Sequence, residues 1–170
     1  MYQIVESTHP TVNNPLESFD YDKVGNWLDG GRVHNELNQL IEDDSCFYNY
    51  DADGNMTSRI NKTTNDTTKY TWNAENKLVG IEKPGVVTQY YYGPMGRRLA
   101  KKVNGVRKEY RYDGEDLIIE MNTNDSITAS YTYGAGIDNP LMMNRDSSNY
   151  YYVKDGLGSV TALTDSTGDV

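Results

Sequence analysis

Tyr48-Asn49-Tyr50-Asp51-Ala52-Asp53-Gly54-Asn55 sets the frame for the whole chain: an aromatic, a spacer, an aromatic, an Asx residue, then Gly three positions on. Side chains alternate along a strand, so Tyr48 and Tyr50 share one face while Asn49 takes the other. Asp51 can hydrogen-bond its own backbone and open a turn, and Gly54 tolerates the backbone that such a turn demands. The frame recurs as Phe19-Asp20-Tyr21-Asp22 with Gly25, as Tyr70-Thr71-Trp72-Asn73 with Asn76, and as Tyr90-Tyr91-Tyr92-Gly93 with Gly96. It continues as Tyr110-Arg111-Tyr112-Asp113, Tyr131-Thr132-Tyr133-Gly134 with Gly136, and Tyr150-Tyr151-Tyr152. A degenerate copy lies at Val33-His34-Asn35, because HNELNQL (34–40) parallels WNAENKL (72–78).

Counted from the second aromatic slot, the units start at 21, 34, 50, 72, 92, 112, 133 and 152, and the later intervals cluster near 20. That period is too short for helix-pair repeats and suits a β-hairpin. Turn formers fall halfway through units: Asn104-Gly105 between Val103 and Val106 is the strongest hairpin signal, and Pro84-Gly85 between Ile81 and Val86 acts in the same way. Leu37, Leu40 and Ile41 compete with a helical i, i+3, i+4 spacing behind Asn35. It covers barely two turns, which is marginal for an isolated helix, so the repeat frame takes precedence. The expected fold is all-β: stacked β-hairpin repeats in an open spiral sheet.

Composition agrees. Fifteen Tyr stand against 2 Phe and 2 Trp, and only Tyr2 falls outside the repeat heads. The 170 residues carry 16 Lys+Arg and 25 Asp+Glu, a net charge of −9, which argues against a general nucleic-acid binder. One segment departs from that balance. Residues 97–111 hold Arg97, Arg98, Lys101, Lys102, Arg107, Lys108 and Arg111 against Glu109, a local +6 inside a remainder of −15. The reading is the solvated face of one hairpin, with a docking patch for acidic cargo as its functional counterpart. Cys46 stands alone, so an internal disulfide and a multi-cysteine zinc site are excluded. Met1–Pro10 has no secretory-signal pattern and no run reaches membrane-helix length.

At Tyr50-Asp51-Ala52-Asp53-Gly54-Asn55-Met56-Thr57 the chain resembles the YD repeat of Rhs (rearrangement hotspot) proteins, whose unit begins YDxxGN. Tyr70-Thr71-Trp72-Asn73-Ala74-Glu75-Asn76-Lys77-Leu78 and Gly96-Arg97-Arg98 fit successive repeats of that family. Gly134-Ala135-Gly136-Ile137-Asp138-Asn139-Pro140-Leu141, Tyr151 through Val160 (YYVKDGLGSV) and Leu163-Thr164-Asp165 resemble its repeat-associated core region. The resemblance divides the chain into a partly ordered N-terminal lead-in at 1–18, YD-type hairpin repeats at 19–133, and a core-like segment at 134–170. It implies hairpins coiling into a shell around a C-terminal toxin or effector, as in polymorphic toxins, the C component of Tc toxins and teneurins. It also implies a secreted or cell-surface bacterial system. Eight units are fewer than a closed shell needs, so a piece of a wall is expected. The family's YDPxG-type motif and aspartate self-cleavage site have no match: Tyr92-Gly93-Pro94-Met95-Gly96 has the outline but carries Gly in place of Asp.

Asp51, Asp53 and Asn55 alternate oxygens as a calcium loop does, but the EF-hand pattern needs Gly and Glu where Met56 and Lys62 stand. The doublets Asp43-Asp44 and Glu115-Asp116 point to opposite strand faces, so neither forms a glycosidase pair. His9 and His34 are too few for a metal cluster, and His34 fills an aromatic slot. No nucleophile-elbow pattern supports a Ser/His/Asp triad. Sequons at Asn55, Asn61, Asn65 and Asn124 arise readily in so Asn- and Thr-rich a chain. No catalytic, cofactor-binding or metal residue is assigned, and no cofactor is expected. The expected function is non-enzymatic, with a toxin or effector, or the remaining shell repeats, as partner, and self-association through open sheet edges. Nucleic-acid binding and membrane insertion are not expected. The alternative is a cell-surface carbohydrate- or protein-binding module using exposed tyrosines.

Overall fold

The alternation of rings and spacers produces strands, and the residues that interrupt it produce turns. The computed structural model describes residues 4–7 and 17–170. Sixteen strands and no helix are present among them. The short strands β1 (Glu6–Ser7) and β2 (Glu17–Ser18) pair with each other, and Tyr21 bridges Trp27. The other fourteen form an open antiparallel sheet whose neighbours follow chain order. Two compact units divide the chain, at 1–87 and 88–170.

The first unit contains β3 (Val33–His34), β4 (Leu40–Glu42), β5 (Cys46–Tyr50), β6 (Met56–Asn61), β7 (Thr67–Trp72) and β8 (Leu78–Lys83). His34 and Leu40 pair across β3 and β4, so the competing helical spacing at 35–41 is overridden by a hairpin. The second unit begins within β9 (Val86–Tyr92). It continues through β10 (Arg98–Val103), β11 (Val106–Asp113), β12 (Asp116–Asn122), β13 (Ile127–Tyr133), β14 (Pro140–Arg145), β15 (Ser148–Lys154) and β16 (Val160–Thr164). From His34 onward, every second-aromatic origin falls on an odd-numbered strand.

Two turn chemistries recur. Five-residue turns stand at Asp22–Asn26, Asn35–Gln39, Asp51–Asn55, Asn73–Lys77, Gly93–Arg97, Asn122–Ser126, Asp155–Ser159 and Asp165–Asp169. Those at Asp22, Asp51, Asn73 and Gly93 follow directly on ring triplets, whereas the Tyr110–Tyr112 triplet runs into a two-residue turn at Gly114-Glu115. In each five-residue turn the N–H of the first residue donates to the last carbonyl at 2.9–3.0 Å, and the fourth N–H donates back to the first carbonyl. The fourth residue is left-handed, for example Gly54 at φ 85° and Asn76 at φ 57°, which is the hairpin geometry of a turn followed by a bulge. Where the head is Asx, its Oδ1 also accepts the N–H groups two and four residues on: Asp51 from Asp53 (3.0 Å) and Asn55 (2.8 Å), Asn73 from Glu75 (3.0 Å) and Lys77 (2.9 Å). Two-residue turns join β8 to β9, β10 to β11, β11 to β12 and β14 to β15. Asn104-Gly105 has both φ positive, at 46° and 89°, joining Val103 directly to its partner Val106.

Candidate functional site

Register decides which side chains share a surface. Cys46, Ala100, Tyr110, Ala129 and Met143 are buried apolar residues, and Thr88 and Glu120 are buried polar ones. All but Ala100 lie on the face that carries the triplet rings, as the pairings Tyr110↔Glu120, Glu120↔Ala129 and Tyr131↔Met143 require; Ala100, opposite Tyr91 and Glu109, lies on the other. The spacers Asn49, Thr71, Tyr91, Arg111, Thr132 and Tyr151 are all exposed on the other face. The ring face is therefore the sheltered one in each unit. No large side chain among the described residues is fully buried, so neither unit closes a two-layer core of the usual kind.

In three of the triplets the second ring also ties its strand to the preceding hairpin of the same unit. Tyr50 Oη donates to the Leu40 carbonyl at 2.8 Å, Trp72 Nε1 to the Met56 carbonyl at 2.8 Å, and Tyr112 Oη to the Arg98 carbonyl at 2.9 Å. Each acceptor stands five residues after the head of the preceding turn, at Asn35, Asp51 and Gly93. A polar tip on an apolar ring is what this position needs, since ring and carbonyl are satisfied together. Turns are also cross-linked: Asn55 Nδ2 donates to Asn76 Oδ1 at 2.9 Å, and Asn26 Nδ2 to Asn38 Oδ1 at 3.0 Å. The last Asn of the YDxxGN motif thus reaches the left-handed residue of the next turn.

One charged cluster lies on the ring face of the second unit. Glu120, 8% exposed, accepts from Lys108 Nζ at 2.7 Å, Tyr131 Oη at 2.8 Å and Arg145 Nη2 at 3.2 Å. Burial pushes its carboxyl up, yet the Lys108 and Tyr131 hydrogen bonds and the two nearby cations more than offset this, leaving it below the usual range. Burial first, and the carboxylate second, push the Tyr131 phenol up to about 12. Because Glu120 lies 12, 11 and 25 residues from these partners, no local motif in the sequence announces the cluster.

The sequence candidates fall into place around these features. Asp51 is the head of a turn, its carboxyl lowered by hydrogen bonds from Asn55, Asp53 and Gly54 that outweigh desolvation. No group of three or more His, Cys, Asp or Glu is arranged to hold a metal among the described residues. Asp43 accepts from the Ser45 and Cys46 N–H groups and from Tyr48 Oη, each at 2.7 Å, whereas its neighbour Asp44 lies against Gly31. Glu115 approaches Arg97 at 3.7 Å, and Asp116 sits opposite Asp113. His34 is part-buried with Nδ1 unpartnered, and His9 lies outside the described residues. Asn61 Oδ1 accepts the N–H groups of Thr63 and Thr64. The basic segment 97–111 is split by register: Arg98 lies over the Tyr90 and Tyr110 rings at 5.4 and 5.3 Å, while Arg107 and Arg111 bracket Glu109 at 2.9 Å on the other face.

Ring-capped hairpins repeated through one open antiparallel sheet, each opened by an Asx or Gly turn, define a YD-repeat protein. The family model for the teneurin YD-shell matches residues 3–170. The chain belongs to this family of Rhs/YD-repeat proteins. It is similar to the tRNA3(Ser)-specific nuclease WapA of Bacillus spizizenii, at 32% identity over 98% of this chain and 7% of that protein. It is similar to the tRNA(Glu)-specific nuclease WapA of Bacillus subtilis subsp. natto, at 34% identity over 79% of this chain and 6% of that protein. The double-stranded DNA deaminase toxin A of Burkholderia cenocepacia matches at 26% identity over 77% of this chain and 10% of that protein. The chain therefore spans a tenth or less of the length of these relatives. No helix among the described residues is long and apolar enough to cross a membrane.

Proposed function

We propose that the chain is a section of wall in a YD-repeat shell that encloses or presents a toxin or effector segment of a secreted or cell-surface bacterial protein. The wall itself is non-enzymatic. One observation carries this reading: the sheet shelters its ring face without covering it, so Tyr90, Tyr110, Tyr131 and Tyr150 line a surface suited to contents. Relatives named as a tRNA nuclease and a DNA deaminase toxin support a catalytic cargo elsewhere in such polypeptides. Expression of the complete reading frame tests it. The effector segment should resist protease and stay inactive while the repeats are intact, and should become digestible when this stretch is deleted. Equal digestion with and without the stretch would remove the proposal.

A second reading rests on Tyr91 and Tyr151, 38% and 42% exposed on the outer face. Flat rings with a hydroxyl suit sugars or a protein partner. Saturable glycan-array binding lost in Tyr91→Ala would favour it over the wall.

A further inference from the structure

The β10–β11 hairpin places like charges directly opposite each other twice, Lys101 against Lys108 and Lys102 against Arg107, an arrangement that weakens a sheet. On the outer face, Arg107 is neutralised by Glu109 at 2.9 Å and stacks over Tyr91 at 4.7 Å. On the ring face, Lys108 is held by Glu120 at 2.7 Å, and Lys101 has no hydrogen-bond or ion-pair partner among the described residues. Between them opens a pocket of about 210 Å³ lined by Lys101, Val103, Val106, Lys108 and Tyr110. The Tyr110 hydroxyl, on a side chain only 6% exposed, likewise makes no hydrogen bond among the described residues.

This imbalance extends over the ring face of the second unit. Alternation and pairing put Arg98, Lys101, Lys108, Arg145 and Lys154 there against the carboxylate of Glu120, although the unit as a whole has more acidic than basic residues. The remaining carboxylates lie on the outer face or in turns, for instance Asp125, Asp146 and Asp155.

We propose that the Lys101–Lys108–Tyr110 pocket binds a side-chain carboxylate of an extended acidic polypeptide segment laid against the ring face. An ammonium and a phenol O–H can both donate to one carboxylate, while Val103 and Val106 flank the methylenes of Glu or Asp. Half-buried rings between sparse cations match a chain that mixes apolar and acidic residues. A polyphosphate calls for contiguous basic groups, which this face lacks. That the segment is shell content rests on the wall reading above; the pocket and its ligand chemistry do not.

The test uses fluorescence anisotropy of a fluorescein-labelled peptide of repeating Glu-Gly-Leu with the whole 170-residue chain. Binding should be saturable, weaken with salt and fall about tenfold in Lys101→Met, since one charge-assisted hydrogen bond is lost. Lys102→Met removes the same charge from the outer face and should bind as the wild type does, and Lys101→Arg should restore binding. A melt confirms that each variant folds. Equal weakening by Lys101→Met and Lys102→Met, equal binding of a Gln-Gly-Leu peptide, or tighter binding of a labelled oligothymidylate would each overturn the proposal. If an intact wall protects its effector but the Glu peptide does not bind, the pocket falls and the wall stands; if the peptide binds but the effector is digested, the reverse holds.

Discussion

Tyr112 Oη lies 2.9 Å from the carbonyl oxygen of Arg98, on the strand paired before it, and the bond repeats a tie made by Tyr50 and Trp72 in the first unit. At these three positions the second aromatic is Tyr or Trp rather than Phe because the ring fills the face and the polar tip closes the register. Tyr112→Phe and Trp72→Phe should each cost about 1 kcal/mol, the usual net worth of such a bond. Tyr151→Phe, in an exposed spacer slot, should change stability by less than about 0.5 kcal/mol. Urea unfolding of the three variants checks this, and equal effects at 112 and 151 would show that the hydroxyl has no register role.

The turn heads provide a second check. Asn73→Ala removes the acceptor for the Glu75 and Lys77 N–H groups and should cost about 1 kcal/mol, whereas Asn73→Asp keeps the acceptor and should cost far less. Gly93 and Gly134 stand in the slot that Asx fills elsewhere, and each lies against the end of a side chain. A Cβ on Gly93 would meet Leu99 Cδ1 at 2.9 Å, and one on Gly134 would meet Asn139 Nδ2 at 2.6 Å. Gly93→Asp should therefore be unfavourable alone and tolerated in a Leu99→Ala background. A double-mutant cycle by chemical denaturation measures that coupling.

Glu120 makes an acid-side prediction. Its folded pKa is depressed, so it contributes stability that is present above the unfolded value near 4.5 and is lost as pH falls through the folded value. Glu120→Gln should flatten the stability–pH curve below about pH 5 and cost on the order of 1–2 kcal/mol at pH 7, discounted because Lys108 and Arg145 remain partly solvated. Tyr131 acts on the alkaline side. Its phenol is raised to about 12, so its contribution is intact below pH 10 and lost as pH rises through 12. Ultraviolet titration of wild type against Tyr131→Phe should show one late-titrating phenol missing from the variant. Unchanged pH curves in both variants would mean that the cluster is not coupled to folding.

The sequence makes the strands, their order and the five-residue turns legible because each is a local event. The triplet puts rings on one face, the Asx head reaches two residues on, and Gly supplies the left-handed fourth position. The Asp146-Ser147 turn is not legible in this way. Both residues are left-handed, at φ 51° and 65°, yet neither is Gly or Asn, and it is the Arg145↔Ser148 pairing that imposes the backbone. The Glu120 cluster is hidden for a different reason, since it assembles from β11, β12, β13 and β14. The basic run 97–111 reads as one patch in sequence, but a strand period of two sorts it onto two faces. That sorting separates Lys101 from Lys102.

The two outermost strands of the fourteen-stranded sheet offer edges for association. In the strand order β3 and β16 have a neighbour on one side only, and Val33 and Val160 on them are 44% and 47% exposed. A terminal strand leaves a row of backbone donors and acceptors ready to pair with another chain, and native proteins blunt such edges with charge. The net charge of −9 opposes association at low salt, and screening removes that opposition as ionic strength rises. The 170-residue chain should therefore show a scattering mass that grows with concentration, more steeply in high salt than in low. Val33→Lys with Val160→Lys should shift it toward the monomer without changing the circular-dichroism spectrum. If hydrophobic contact alone drove association, Val→Ala at both positions would serve as well as Val→Lys. If edge pairing drives it, Ala leaves the backbone row open and association persists, so comparing the two double variants assigns the cause. A wild-type chain that stays monomeric at every concentration and salt would show that its edges are already blunted.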